Sequence, residues 1–173
     1  MRPVAADPLP IIVLDTNVVL DWLVFRNPAC AALGDALGDA PGDAPGDALG
    51  GALSGPQPAA ALRWCASAEM REELVHVLDR GIAQAWAPDL AALWAQWERD
   101  CVELATPVFL PPAMRLHCTD TEDQMFIDFS LAHGARWLLS RDRAVLKLAR
   151  RARPFGLTIV TPSDWAAARS TRP

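Results

Sequence analysis

Four acidic residues stand where an ordinary surface acid would not: Asp15, Glu73, Asp123 and Asp142. Asp15 closes the apolar run Ile11-Ile12-Val13-Leu14, and Asp142 lies just past Trp137-Leu138-Leu139, so each falls at the carboxyl end of an expected strand. On a helical wheel Glu73 lies at the edge of an apolar stripe made by Met70, Leu74, Val77 and Leu78, whereas Glu72 points the opposite way. Asp123 shares an arc with Phe126, Ile127 and Ser130, while Gln124 and Asp128 share a polar one. A carboxylate beside an apolar stripe is costly unless something pairs with it. Four gathered together would repel unless divalent cations neutralised them. Such a cluster suits phosphodiester cleavage, in which a metal lowers the pKa of a water and stabilises charge on the phosphate and the leaving oxygen. Oxygen donors point to Mg²⁺ or Mn²⁺.

Each acid also has a structural reading. Asp142 precedes a helix and suits an N-cap. Asp123 falls in a first helical turn, where the helix dipole favours an anion. Around it, Thr119-Asp120-Thr121-Glu122 matches a capping box, which gives Glu122 and Asp120 a structural task. Sequence alone leaves both readings of Asp123 and Asp142 open. Rival chemistries lack their residues: there is no G-x-S-x-G, no Cys/His pair at a recognisable spacing, no tyrosine, and no Gly-rich loop followed by Lys-Ser/Thr. Cys30, Cys65, Cys101 and Cys118 form no C-x-x-C pair and read as buried small hydrophobes. His76, His117 and His133 show no metal-ligand spacing.

The elements that must hold these acids alternate between strand and helix. Strands are expected at 11–14, 62–65, 137–139 and 157–160. Helices are expected at 18–25, 67–80, 89–104, 119–133 (ended by Gly134) and 143–151, with a last one from Pro162. This alternation implies an α/β fold with a parallel sheet covered by helices on both faces, and sites in such sheets form at the carboxyl ends of the strands. Residues 34–56 differ: a Gly-Asp-Ala-Leu/Pro repeat holds 7 of the chain's 10 glycines. It is read as a low-complexity surface insertion within a single domain spanning 1–173.

The chain has 173 residues, of which 51% are apolar and 21% charged, as expected of one folded globule. No apolar run approaches a membrane span, and Met1–Asp7 lacks the long apolar segment of a secretory signal. A cytoplasmic location is the expectation. The net charge of −5 hides an asymmetry: residues 1–135 carry 7 basic and 19 acidic side chains, whereas 136–173 carry 9 basic and 2 acidic. A polyanion could dock on the C-terminal part, or these cations could simply solvate a surface helix. Trp94 and Trp97 could serve an interface, but filling the core is the better expectation.

The segments IIVLDTNVVLDWLVF, EELVHVLDR, TDTEDQMFIDFSLAHGARWLLSRDRAVLKL and LTIVTPSDW resemble the PIN-domain family, and within it the VapC-like bacterial branch described as toxins of toxin–antitoxin pairs. The resemblance covers nearly the whole chain outside 34–56. It implies a three-layer α/β/α sandwich and a Mg²⁺- or Mn²⁺-dependent endoribonuclease that leaves 5′-phosphate and 3′-hydroxyl ends. The family's acids map onto Asp15, Glu73, Asp123 and Asp142, with Asp15 and Asp123 expected as direct ligands and Glu73 and Asp142 acting through water. Thr16 and Asn17 resemble the polar residues beside the family's first acid. Ser140 keeps the hydroxyl of a family threonine, and Arg141 replaces the usual glycine. Arg141, Arg143 and Lys147 are then candidate contacts to the RNA backbone. The resemblance also implies a small antitoxin partner across the active-site groove and a homodimer. Two alternatives remain: a catalytically inactive RNA- or protein-binding scaffold, and an aspartyl phosphotransferase or phosphatase. The latter is weakened because Asp15-Thr16-Asn17 lacks a D-x-D second acid and the sole lysine is Lys147.

Overall fold

The computed structural model describes residues 9–37, 61–81 and 84–170. Five parallel strands form one sheet: β1 (Ile11–Leu14), β2 (Arg63–Ala66), β3 (Cys101–Glu103), β4 (Trp137–Leu139) and β5 (Thr158–Val160), in the order β3-β2-β1-β4-β5. The register aligns Ile12 with Trp64 on one side and with Trp137 on the other, and Leu14 with Leu139. β1 reads as an unbroken apolar run because it lies at the centre of a sheet covered on both faces. The chain runs outward from β1 through β2 to β3, then returns to β1's other side with β4 and β5. The strand order therefore reverses between β1 and β4, the place where open α/β sheets leave a crevice at their carboxyl edge.

The helices are α1 (Thr16–Leu23), α2 (Ala31–Leu37), α3 (Ala68–Asp79), α4 (Leu90–Asp100), α5 (Gln124–Ala132), α6 (Arg143–Leu146), α7 (Ala149–Ala152) and α8 (Pro162–Ser170). With the parallel sheet they form the α/β/α sandwich. Among the described residues no helix is long and apolar enough to cross a membrane. α3 starts because the Ser67 side chain accepts the Met70 N–H, and it buries Met70 and Leu74, two of the residues that define its apolar stripe. Gly134, at φ 62°, supplies the left-handed turn after α5.

Four expectations are corrected. The helix expected over 89–104 stops at Asp100, and Cys101–Glu103 becomes β3, paired in parallel with β2 from Trp64↔Cys101 to Ala66↔Glu103. The open edge of β2 offers ladder hydrogen bonds that outweigh the helical spacing of Cys101 and Leu104. The helix expected over 119–133 starts only at Gln124, and the capping box does not form: Asp120 Oδ1 instead accepts the Glu122 N–H at 3.0 Å, closing a local turn. The basic helix expected over 143–151 is two short pieces, α6 and α7. The first residues of the Gly-Asp-Ala segment, 34–37, complete α2 with Ala36 buried, and 38–56 lie outside the described residues.

Aromatic packing anchors the β2 side of the core. Trp64, fully buried on β2, meets Trp97 of α4 edge-on at 4.8 Å between centroids and Trp22 of α1 at 5.7 Å. Trp97 is therefore a core residue, with Trp94 packed beside it. Cys30 and Cys65 are buried, as expected of small hydrophobes, whereas Cys101 and Cys118 are only half-buried. Replacing Trp97 by alanine should destabilise the fold by about 3–5 kcal/mol in urea unfolding, the cost of emptying a large aromatic site.

Candidate active site

Asp15 is placed by the sheet. Its backbone N–H donates to Leu139 O at 3.0 Å, continuing the β1–β4 ladder by one residue and bringing the turn after β4 over its side chain. Ser140, fully buried, donates its hydroxyl to Asp15 Oδ2 at 2.5 Å. Asn17 Nδ2 donates to the same oxygen at 2.7 Å, and the Asn17 N–H donates to Oδ1 at 3.4 Å. Burial raises the Asp15 pKa, the Ser140 and Asn17 hydrogen bonds pull it back, and the Asp142 charge pushes it up again. Thr16, also buried, opens α1 directly behind this acid.

Asp142 is tied to the same centre. Its N–H donates to Ser140 Oγ at 2.9 Å, so one hydroxyl joins the two acids. Its Oδ1 accepts the Ala144 N–H at 2.6 Å and caps α6. Asp123 occupies the N-cap position of α5 but makes no side-chain capping bond. Loss of solvent raises its pKa first, and the charges of Asp15 and Asp142, then Asp120 and Glu122, raise it further, to about 7. Asp15, Asp123 and Asp142 therefore share one electrostatic centre at the carboxyl edge of β1 and β4. Glu73 is half-buried on α3, which packs against α1 and α5, while Glu72 is exposed. No described hydrogen bond or ion pair joins Glu73 to the other three.

Among the described residues, no group of three His, Cys, Asp or Glu side chains is arranged to hold a metal ion as it stands. The quartet expected from the sequence is in this respect looser than a ready-made coordination cage. The donor chemistry nonetheless fits a hard divalent cation: carboxylate oxygens, with two of the three acids raised by burial and by each other's charge. Like charges with no cation between them have no reason to close to ligating distance.

Sequence reasoning missed Asp21. It is 3% exposed on α1, amid Val18, Val19, Leu20, Trp22 and Leu23, all buried. An acid inside so apolar a helix was itself a signal. Arg141 answers it: Nη1 stands 2.8 Å from Asp21 Oδ2, and the Arg141 N–H donates to Asn17 Oδ1 at 3.1 Å. The Arg141 side chain, 53% exposed, thus leans onto α1 and holds the β4–α6 turn against it, and Arg143 and Lys147 are exposed as well. Burial raises the Asp21 pKa, and the Arg141 charge and the Asn27 side chain lower it.

Helices thus cover an all-parallel sheet, and three acids converge where the strand order reverses. The sequence model of the PIN domain matches residues 11–144, and the chain belongs to the PIN domain family. No match to a curated protein or to a solved structure accompanies it. PIN domains are generally nucleases and commonly depend on divalent metal.

Two predictions follow from the electrostatics. Between the ordinary carboxyl value of 3.8 and about 7, folded Asp123 holds a proton that the unfolded chain has released. Metal-free protein should therefore lose stability as pH rises through this window, with the penalty complete above it. Asp123→Asn should flatten that slope in denaturant titrations run in chelator. Arg141→Gly should cost about 1–3 kcal/mol by leaving the buried Asp21 carboxylate without its counter-charge. Adding Asp21→Asn should recover most of the loss in the same unfolding assay.

Proposed function

We propose that this PIN domain is a Mg²⁺- or Mn²⁺-dependent endoribonuclease whose acidic centre is Asp15, Asp123 and Asp142, with Glu73 completing it from α3. The observation that carries the reading is the electrostatic convergence of three acids at the β1–β4 switch of a PIN-family chain. A divalent cation held there supplies charge neutralisation at the phosphate and a water acidic enough to attack it. The chain's own residues prepare the place. Ser140 and Asn17 satisfy one Asp15 oxygen and fix the carboxylate's rotation. Asp142 keeps Oδ1 on the α6 N-terminus, which leaves Oδ2 free of that capping bond. Asp123, free of capping duty, can swing its carboxylate towards the others. Arg143 and Lys147, exposed just beyond Asp142, offer cations to the RNA backbone.

The toxin role, the small antitoxin across the active-site groove and the homodimer rest on the VapC-like resemblance, and the cytoplasmic location rests on the apolar patterning of the sequence. Reading the open reading frame next to the coding sequence tests the pairing directly. An inactive binding scaffold is the second reading, favoured by the loose spacing of the acids.

One set of measurements separates these readings. Mn²⁺ should raise the melting temperature of the wild type and much less that of Asp15→Asn. Asp15→Asn should abolish RNA cleavage while keeping its folded circular-dichroism spectrum, because a neutral isostere replaces a buried charge. Undiminished cleavage by that variant would remove the proposed site. A wild type that neither gains stability from Mn²⁺ nor cleaves RNA would leave the scaffold.

A further inference from the structure

The charge asymmetry of the chain leaves cations that the acidic centre does not use. Residues 136–173 carry 9 basic and 2 acidic side chains. Both acids are engaged locally: Asp142 caps α6, and Asp164 Oδ2 accepts the Thr161 hydroxyl at 2.8 Å. Arg141 is paired with Asp21. Arg136, Arg150, Arg151, Arg153 and Arg169 are exposed and make no ion pair with a described residue. Two of them, Arg136 and Arg169, line one cleft of about 400 Å³ between β4, β5 and α8, together with Trp137, Thr158, Trp165 and Ala168. No described acid lines it.

Each guanidinium of the cleft lies on an indole. Arg136 stands 4.6 Å from the Trp137 ring centroid, and Arg169 stands 5.0 Å from that of Trp165. Trp165 is 2% exposed, so its ring is a fixed platform. A guanidinium stacked on its flat face keeps its edge donors for an oxyanion, which it meets in a planar fork. Arg169 also stands in the last turn of α8, where it offsets the negative end of that helix. Trp137 and Thr158 pair in register as the first residues of β4 and β5, so the cleft lies at the amino edge of the sheet. The acids lie at the carboxyl edge, and the cleft shares no residue with them.

We propose that this cleft is a separate anchor for the RNA backbone, in which Arg136 and Arg169 bind phosphate away from the acids and without reading sequence. It rests on the ribonuclease reading for the identity of the polymer. Charge complementarity selects the occupant. Residues 1–135 carry 7 basic and 19 acidic side chains, so most of the chain repels a polyanion. The attraction must come from the C-terminal part. There the unpaired cations continue past the cleft: Arg150 and Arg151 lie on α7, which packs against β5, and Arg153 follows. A series of unpaired arginines suits a ligand whose charges repeat, as those of a nucleic acid do.

The test uses the full chain carrying Asp15→Asn, with a fluorescent single-stranded 30-mer RNA titrated across a KCl series at fixed Mg²⁺. Adding Arg136→Gln and Arg169→Gln should weaken binding by about 5- to 25-fold at 0.1 M salt and make the salt slope shallower by about 0.7–1.4, the share of one to two phosphates on a single strand. The loss should be the same for RNAs of unrelated sequence. Arg26→Gln with Arg80→Gln removes the same charge from exposed positions outside the cleft and should change binding much less. Thr158→Glu keeps both arginines, adds a carboxylate to the cleft and should weaken binding as well, so the reading does not hang on one pair of variants. Circular dichroism should show every variant folded, since the substituted residues are exposed. In the cleavage-competent chain, the Arg136/Arg169 variant should raise KM more than it lowers kcat. Equal loss in the cleft variant and its charge control would overturn the anchor and leave net charge alone. A poly-glutamate 20-mer that depends on the two arginines as strongly as RNA does would overturn it in favour of an acidic protein surface. Thermal stabilisation by inorganic phosphate beyond that of chloride, lost in the variant while RNA affinity holds, would overturn it in favour of free phosphate. Each of these outcomes leaves the ribonuclease reading intact. A parent that binds no RNA, with a wild type that cleaves none, would overturn both.

Discussion

The site depends on a single buried carboxylate that the sheet will not let go. Asp15 is next in line after a central strand, and its N–H is already committed to Leu139. Its side chain lies beside the turn after β4, in contact with Ser140, where it is 2% exposed. A carboxylate so placed survives only if its oxygens are satisfied. Ser140 and Asn17 do this, and each is held in turn: Ser140 Oγ accepts from the Asp142 N–H, and Asn17 Oδ1 accepts from the Arg141 N–H. The β1–β4 register thus sets the Asp15 carboxylate, which sets the whole Ser140-Arg141-Asp142 turn.

That turn also shows what Arg141 does in this chain. A glycine there would leave α1 free to be apolar throughout. With arginine, the guanidinium needs a place, and α1 supplies Asp21, buried where an aliphatic side chain would otherwise pack. The ion pair bridges the first helix and the turn carrying Asp142, so it braces the two elements that present the first and last acids. Its net stabilisation is small, since burying Asp21 offsets much of the attraction. Its consequence is geometric, because an unbraced turn could move Ser140 off Asp15.

The architecture was largely legible in the sequence, because the two dominant periodicities each had a buried face to report. Ile11–Leu14 and the Met70/Leu74 stripe were read correctly for that reason. Cys101–Glu103 was not, since an edge strand of three residues has little pattern of its own and is defined by the neighbour it pairs with. The capping box at 119–122 was misread because Asp120 competes for the same backbone donor in a local turn. Of the site, Asp15, Asp123 and Asp142 were legible as acids in anomalous places. Their hydrogen bonding was not, and neither was the Asp21–Arg141 pair, because residues 120 positions apart meet only once the sheet has formed.

Asp142 and Asp123 differ in how their side chains relate to the helices they precede. Capping occupies one oxygen of Asp142, so a carboxylate can end a helix and still present a charge to a neighbour. Asp123 shows the converse: it precedes α5 with αR backbone angles, not the extended geometry of a cap, and its side chain makes no capping bond. The α5 N-terminus therefore gives up a side-chain cap, and the carboxylate stays unanchored among like charges that raise its pKa to about 7. Under the ribonuclease reading, a divalent cation would relieve this repulsion and draw affinity from it.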